Sequence, residues 1–456
     1  MFLEVALRRR RIVKAIMRIH TDVNVFEILR ELAADTYALL QRCSALAGTT
    51  WRVFVVGGLV RDALLGQVNR DIDIVVLEDA EGYARYLSDH LPGKLTVHEQ
   101  FQTASIDVEG TVLDVVQARR EIYAFPGALP KVFVSSLEDD LRRRDFTANS
   151  LAAILNDAGF GELAECGGYE DLQAGLVRIW HERSFTDDPT RIFRAVKYAV
   201  RCAWRLTADT EEALRNAVAA EALHTVSPAR IGREIRLILR EKQAVSCWDM
   251  LQKLGVASAL GLPDGCWELV RERMLRAQEH TSEQHPLGVP LSEQERFQLF
   301  LNLLLSDCPE KAALQWLERW QFLAHEKEAY KRSRRAVSLQ RTVQDNQRGR
   351  AERAYELVKI DAVSLLTLWY CSADAQASGL IAEYFEKWRA LVPLVDGRFL
   401  LSLGINPGPL YKKILRLSWI AQAEGIISTH EEARAMILQQ SGAAALLPLR
   451  SCPHTR

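Results

Sequence analysis

Apolar residues recur at helical spacing in residues 22–47, at Val25, Ile28, Leu29, Leu32, Leu39 and Leu40, and the run stops at Gly48. Residues three and four apart meet on one face of a helix, so the pattern predicts a helix that leads into a different kind of structure. Val53–Val56 is then an unbroken β-branched and aromatic run ended by Gly57-Gly58, and residues 72–77 form a second. Both read as strands, with a short helix over 60–65 between them. Residues 104–108 and 111–116 predict two more strands around a Glu109-Gly110 turn. Up to about Ala153 the chain reads as a compact α/β module. Beyond Asp157-Ala158-Gly159 the strand signal fades. From Asp187 nearly every segment is an amphipathic helix, with breaks at Pro228, at 261–265 and at 286–290. The expected class is α+β, a head with a small mixed sheet followed by an all-helical remainder. The expected divisions are an N-terminal extension over 1–21, a head over 22–155, a helical neck over 156–265 and a helical body and tail over 266–456.

Length and composition narrow the class. At 456 residues with 48% hydrophobic content, the chain is long enough for several modules with real cores, which excludes a disordered or fibrous protein. The formal charge is −1, from 58 basic and 59 acidic residues, so any affinity for nucleic acid must come from local clustering. One cluster stands out: residues 327–353 carry nine basic and three acidic residues. Such a stripe fits RNA phosphates or a solvated helix face equally well. The eight cysteines (Cys43, Cys166, Cys202, Cys247, Cys266, Cys308, Cys371 and Cys452) form no C-x-x-C pair and no zinc-spaced cluster with histidine, so they read as reduced thiols. Residues 1–20 mix apolar residues with Arg8 to Arg11 but lack the uninterrupted apolar core and cleavage site of a secretory signal, leaving a mitochondrial-type presequence as the alternative to none. No stretch approaches the roughly eighteen uncharged apolar residues that span a bilayer. A cytoplasmic enzyme without membrane contact is expected.

Chemistry concentrates in three places. The first is Gly57-Gly58-Leu59-Val60-Arg61-Asp62, followed by Asp71-Ile72-Asp73. Two glycines between a strand and a helix let the backbone approach a triphosphate closely, the helix start offers N–H groups to the anion, and Arg61 adds a charged fork. Asp71 and Asp73, two apart in a strand, point to one side and can grip hard cations together. Two Mg²⁺ ions there would activate an attacking 3′-hydroxyl and neutralise leaving pyrophosphate. This stretch resembles the first motif of polymerase-β-like nucleotidyltransferases, specifically of class II tRNA nucleotidyltransferases and bacterial poly(A) polymerases. The resemblance implies that Asp71 and Asp73 bind the metals and perform catalysis. Asp114, on a neighbouring predicted strand, is either an accessory acid or a solvating charge.

The second place is Arg143-Arg144-Asp145-Phe146-Thr147-Ala148-Asn149, which resembles the family's R-R-D-F-T-x-N element. An Arg–Asp pair can donate to and accept from a ribose 2′-hydroxyl, the task the resemblance gives Arg144 and Asp145. The third is Asp187-Asp188-Pro189-Thr190-Arg191-Ile192-Phe193-Arg194-Ala195-Val196-Lys197-Tyr198. Asp188 and Arg191 are three apart, so on one helical turn they would share a face. Cytosine and adenine each present an amino donor beside a ring-nitrogen acceptor, whereas uracil and guanine present the reverse. One acceptor–donor pair can therefore take C and A and refuse U and G, as the family is understood to do without a nucleic-acid template. Arg194 and Lys197 follow at helical spacing toward the triphosphate. Asp187 stands where the family has Glu, shortening a side chain thought to position Arg191. Lys197-Tyr198 replaces Arg-Phe.

Between these motifs, Gly167-Gly168-Tyr169 resembles the family's hinge. A fainter likeness at Leu403-Gly404-Ile405-Asn406-Pro407-Gly408-Pro409 resembles a tail segment. The resemblance implies addition of C, C and A, or part of that sequence, to tRNA from CTP and ATP. It also implies a helical neck that selects the nucleotide and a body and tail that hold the tRNA acceptor stem and elbow. A CC-adding or A-adding enzyme shares all three motifs. Phe101-Gln102-Thr103-Ala104 and Pro126-Gly127-Ala128-Leu129-Pro130 look more like tRNA-directed members than poly(A) polymerases. A non-catalytic RNA-binding protein is opposed by the intact Asp71 and Asp73. No histidine precedes an aspartate, so the His-Asp phosphohydrolase signature is missing.

Overall fold

Strand alternation decides which face of the head carries chemistry. In a computed structural model, which describes residues 17–98, 103–262, 267–280, 287–372 and 374–440, the head strands are β1 (Arg18–Asn24), β2 (Val53–Val56), β3 (Ile72–Val76), β4 (Gly93–His98), β5 (Thr103–Val108), β6 (Thr111–Gln117), β7 (Arg119–Ile122), β8 (Lys131–Val134), β9 (Leu151–Ile154) and β10 (Glu162–Glu165). Eight of them form one sheet in the order β1-β10-β9-β2-β3-β6-β5-β4, and β7 and β8 form a separate ribbon. The sheet is mixed: β3 runs antiparallel to β2 and parallel to β6.

Val53, Val55, Ile72, Ile74, Val76, Leu113 and Val115 alternate onto one face. There they bury against α1 (Val25–Leu32), α2 (Ala34–Ala47) and α4 (Ala80–His90). Full burial of each such side chain contributes about 1.5–3 kcal/mol, so this face holds the head together. Val56, Val75, Ala152 and Ala164 take the opposite face, under Leu137 and Leu141 of α5 (Leu137–Arg142). By the same period of two, Asp73 lies on the α5 side, next to the arginines that follow that helix.

Three expectations change here. The single helix expected over 22–47 is β1 followed by two helices. Asn24 is extended and caps α1 by accepting from the Phe26 and Glu27 N–H groups, and Ala33, at φ −152°, separates α1 from α2. Arg18 pairs with Glu165 and His20 with Leu163, so the sheet reaches into the expected N-terminal extension. Residues 1–16, with Arg8 to Arg11, lie outside the described residues, as do Phe101, Gln102, Cys266 and Cys452. The sheet also passes residue 155, because β10 pairs with β9. Glu109-Gly110 does turn β5 into β6, with both φ angles positive.

Glycine at 168 is dictated by close approach. A Cβ there would stand 2.1 Å from the Thr147 carbonyl oxygen, while its N–H donates to Glu165 Oε2 at 2.7 Å. The stretch that resembles a hinge is thus packed directly on the Arg143–Asn149 motif. Gly168→Ala is expected to lower stability by about 1–3 kcal/mol, the usual cost of overpacking against a fixed backbone. A Tm equal to that of the unaltered protein would contradict this packing.

The chain divides into two compact units, the first ending at Leu262. The expected head and neck therefore form one compact unit, whose later helices include α6 (Gly168–Gln173), α7 (Ser184–Asp187), α8 (Arg191–Arg201), α9 (Ala208–Ala219) and α10 (Pro228–Arg240). Among its described residues the second unit is helical throughout, with cores around Leu357, Leu365 and Trp419 and around Leu400, Ile427 and Ile437. Within it, much of the basic stretch is paired: Lys331 with Glu328, Arg332 with Asp361, Arg348 with Asp345 and Arg350 with Glu383. Arg353 is buried and donates to the Val343 carbonyl. Arg335 and Arg341 are exposed. The Gly404–Pro409 stretch connects the helices Gly397–Ser402 and Pro409–Ala423. No helix among the described residues is long and apolar enough to cross a membrane. No disulfide joins the six described cysteines, and burial pushes the Cys43 and Cys247 thiols up to about 12.

Candidate active site

Three strands and a glycine turn bring the carboxylates together. In register, Val56, the last residue before the glycine pair, sits opposite Asp73, which sits beside Asp114 on β6. Asp71 lies just before β3, with its N–H on the Asn69 side chain at 2.9 Å. Gly57, at φ +75°, starts α3 (Gly58–Leu64). A Cβ on Gly57 would lie 3.0 Å from Arg144 Nη1 and 3.4 Å from Asp73 Oδ2, so only glycine lets these groups close over the turn. Burial pushes the Asp73 carboxyl above its ordinary value. The Arg144 guanidinium opposes that, and Asp114, Asp71 and Asp140 push it further up. Asp114 is exposed and accepts from Ser105 Oγ at 2.6 Å.

A half-buried carboxylate crowded by three like charges, with its carboxyl still raised despite Arg144, fits a hard divalent ion, which prefers oxygen ligands. Among the described residues no group of three or more His, Cys, Asp or Glu is arranged as a ready-made metal cage. Asp71 and Asp73 both line the cavity beside the Gly57 turn.

Behind this pair runs a connected polar network. Asn69 donates to Asp62 Oδ2 at 2.7 Å, Arg61 donates to Asp62 Oδ1 at 2.7 Å and to Asn149 Oδ1 at 2.8 Å, and Asn149 donates to Asp145 Oδ1 at 2.9 Å. Arg194 Nε closes the chain on Asp145 Oδ2 at 2.6 Å. Arg61 is buried against the Tyr198 ring, 4.9 Å from its centroid. The fork expected to reach phosphate is therefore committed inside the protein as a brace. Burial alone would raise the Asp145 carboxyl, but Arg194, Asn149 and Arg191 hold it below the usual range. Arg144 and Asp145, neighbours in sequence, turn to different partners: Arg144 Nη2 meets Asp140 Oδ2 at 3.0 Å.

Asp140 is fully buried, and Arg144 and Arg143 outweigh burial to hold it below its ordinary value. A depressed carboxylate contributes stability above its unfolded pKa, near 3.9, and loses it only as pH falls through the lower folded value. Asp140→Asn, which takes from Arg144 its carboxylate partner and leaves Arg143 with Glu121 alone, is expected to cost about 3 kcal/mol at pH 7. The gap to the unaltered protein should narrow only below about pH 4 in thermal unfolding across pH. A gap that closes between pH 5 and 7 would contradict the assignment.

Asp188 and Arg191 reach the same space by a different route from the expected single helical turn. Pro189 disfavours the helical region for the residue before it, and Asp188 is extended at φ −135°, ψ 93°. It ends α7, and Arg191 begins α8. Arg191 is 7% exposed, with Nη1 on Ser184 Oγ and Nη2 on the Arg143 carbonyl, both at 2.8 Å. Asp187, shorter than the family's Glu, pairs with Arg183 at 3.0 Å, so the orientation of Arg191 falls to Ser184 and Arg143.

Gly57, Gly58, Arg61, Asp71, Asp73, Arg144, Asp145, Asp188, Arg191 and Arg194 all line one cavity of about 470 Å³. Lys197 does not: it binds Glu234 at 3.1 Å, with both side chains largely covered. Sequence reasoning missed Asn69, Asn149, Glu121, Tyr123, Tyr198 and Arg201, which also line the cavity. Asn149 stood in a quoted motif and Asn69 two residues before Asp71, so both were within reach. Glu121 and Tyr123 arrive on the β7–β8 ribbon, which carried no chemical signal.

The chain is similar to known proteins over most of its length. Residues 53–178 match the poly A polymerase head domain, and 205–263 match a probable RNA- and SrmB-binding site of polymerase A. The A-adding tRNA nucleotidyltransferase of Halalkalibacterium halodurans is 32% identical over 429 residues, 91% of this chain and 95% of its own. The CC-adding tRNA nucleotidyltransferase of Deinococcus radiodurans is 30% identical over 420 residues, 90% of this chain and 95% of its own. The Thermotoga maritima CCA-adding enzyme complexed with tRNA superposes with a TM-score of 0.75 at 27% identity, covering 93% of this chain and 99% of that one.

Proposed function

Since the chain belongs to the class II tRNA nucleotidyltransferase family, we propose that it adds C, C and A, or part of that sequence, to the tRNA 3′ end from CTP and ATP. The RNA 3′-hydroxyl oxygen bonds to the α-phosphorus of the nucleotide, the bond to the bridging oxygen breaks, and pyrophosphate leaves. The observation that carries this reading is that one cavity is lined both by a carboxylate pair suited to hard cations and by an acceptor–donor pair suited to a base.

The family uses divalent metal ions. Asp71 and Asp73 are the proposed ligands and magnesium the proposed ion, which when bound supplies charge neutralisation at the phosphates and a more acidic 3′-hydroxyl. The chain's own residues do the positioning. Gly57 admits the triphosphate close to Asp73, and Arg144 stands beside it as a cation. Asp145, held by Asn149 and Arg194, presents a fixed acceptor to the ribose. Asp188 accepts from the exocyclic amino group of C or A, while Arg191, with N–H groups beyond the two it spends on Ser184 and Arg143, donates to the adjacent ring nitrogen. U and G set an oxygen against the Asp188 carboxylate and an N–H against Arg191, leaving both unpaired. The body and tail, with exposed Arg335 and Arg341, are proposed to hold the acceptor stem and elbow.

The test uses tRNAs that end before the first C, after the first C and after CC, each with one labelled nucleotide at a time. Incorporation of C or A, never U or G, stopping no later than CCA, is expected. Product that runs on with A would show a poly(A) polymerase, and no incorporation on any tRNA would end the proposal. The A-adding and CC-adding relatives are matched at similar identity, so the same assay separates addition to the bare end from addition after CC.

A further inference from the structure

Asp188 does not stand alone. Its Oδ1 accepts from the Thr190 backbone N–H at 3.2 Å, from Thr190 Oγ1 at 2.7 Å and from Arg230 Nη2 at 2.9 Å. Among the described residues Oδ2 takes no hydrogen bond. Arg230 comes from the first turn of α10, 42 residues away, and is not among the residues lining the cavity. Its other terminal nitrogen, Nη1, reaches the Gly127 carbonyl at 3.5 Å. Gly127 is itself fastened in place. Its N–H points at the Thr186 and Asp187 carbonyls, each at 3.2 Å, its φ is +73°, and a Cβ there would stand 2.6 Å from the Thr225 carbonyl oxygen. Arg230 therefore spans from the loop of the β7–β8 ribbon to the carboxylate that ends α7.

We propose that Arg230 is a specificity-determining positioning residue, which saturates Oδ1 of Asp188 and sets its tilt so that Oδ2 alone faces the incoming base. A carboxylate on an extended residue can rotate about χ2, and a rotated one can draw in water or accept the imino N–H of U or G through either oxygen. A planar guanidinium that bonds one oxygen while its second arm holds a fixed carbonyl removes that freedom. An ammonium has no fork and cannot hold both partners in fixed geometry. The pair is partly exposed, 34% for Arg230 and 20% for Asp188, so its main effect is on orientation rather than on fold stability.

This inference rests on the proposal that Asp188 and Arg191 choose the base, and the experiment separates the two. Steady-state kcat and KM are measured for CTP, UTP, ATP and GTP on tRNAs lacking CCA and ending in CC, with the full-length unaltered protein, Arg230→Met, Arg230→Lys and Asp188→Ala. Arg230→Met is expected to cut the kcat/KM preference for C over U, or for A over G, roughly tenfold, with Arg230→Lys falling less. The affinity for tRNA should stay within about twofold, because no phosphate contact is assigned to Arg230. A loss shared equally by all four nucleotides, with the preference intact, is what a merely structural role produces and would overturn the inference. If Asp188→Ala relaxes base choice while both Arg230 variants keep it, only the role of Arg230 falls. If Asp188→Ala also keeps it, the base-reading proposal falls with it. Should Arg230→Met fail to fold, the charge-retaining Arg230→Lys decides by the same ratio, an unchanged preference counting against the inference.

Discussion

Asp73→Ala is expected to slow nucleotide transfer at least about a thousandfold while changing tRNA affinity by less than about twofold. The carboxylate sits in β3 between the Gly57 turn and Asp114, whose own side chain is exposed and taken up by Ser105 Oγ. Because burial and three neighbouring carboxylates push its carboxyl upward, the charge opposes folding when no cation is bound. The variant should therefore be at least as stable as the unaltered protein in metal-free thermal unfolding, and lose the gain in Tm that divalent cation with CTP gives the latter. Transfer at more than a tenth of the normal rate would mean that the metal ligands lie elsewhere.

Arg191→Ala carries the second large effect. It removes the guanidinium placed beside Asp188 at the start of α8, and discrimination against U and G should fall roughly a hundredfold. It also strands the buried Ser184 hydroxyl, at about 1–3 kcal/mol for an unsatisfied buried group, and frees the part-buried Arg143 carbonyl. Stability and base choice should thus both suffer, whereas RNA affinity should not. Single-nucleotide incorporation assays beside a denaturant titration check both parts. Preserved preference among the four nucleotides would remove Arg191 from base selection.

The residues legible from sequence are those whose chemistry forces a local pattern. Gly57-Gly58 after a β-branched run marks the turn, and alternation puts Asp73 on the face opposite Ile72 and Ile74, although Asp71, expected in the same strand, lies just before it. What escaped depends on contacts that no local period encodes. Arg61 stands near the phosphate turn in sequence, yet its side chain is spent on Asp62, Asn149 and Tyr198. Lys197 keeps helical spacing from Arg191, yet Glu234 on α10 captures it. Asp188 and Arg191 were expected on one turn, and Pro189 instead splits them between two helices while keeping both in the cavity.

The fold shows the same division. The apolar positions at 25, 28, 29, 32, 39 and 40 belong to helices, but an Asn24 cap and a break at Ala33 decide where those helices begin and end. β1 and β10 are short strands that pair across more than a hundred residues, too little sequence for period-two alternation to register.

Everything turns on whether Asp71 and Asp73 hold divalent cation beside the nucleotide. Anomalous scattering from a crystal soaked with Mn²⁺ and CTP measures this directly. A peak within about 2.0–2.3 Å of both carboxylates, beside the triphosphate at Gly57, is the predicted result. CTP bound in the cavity with no peak at either aspartate, or with the metal bound elsewhere, would contradict it.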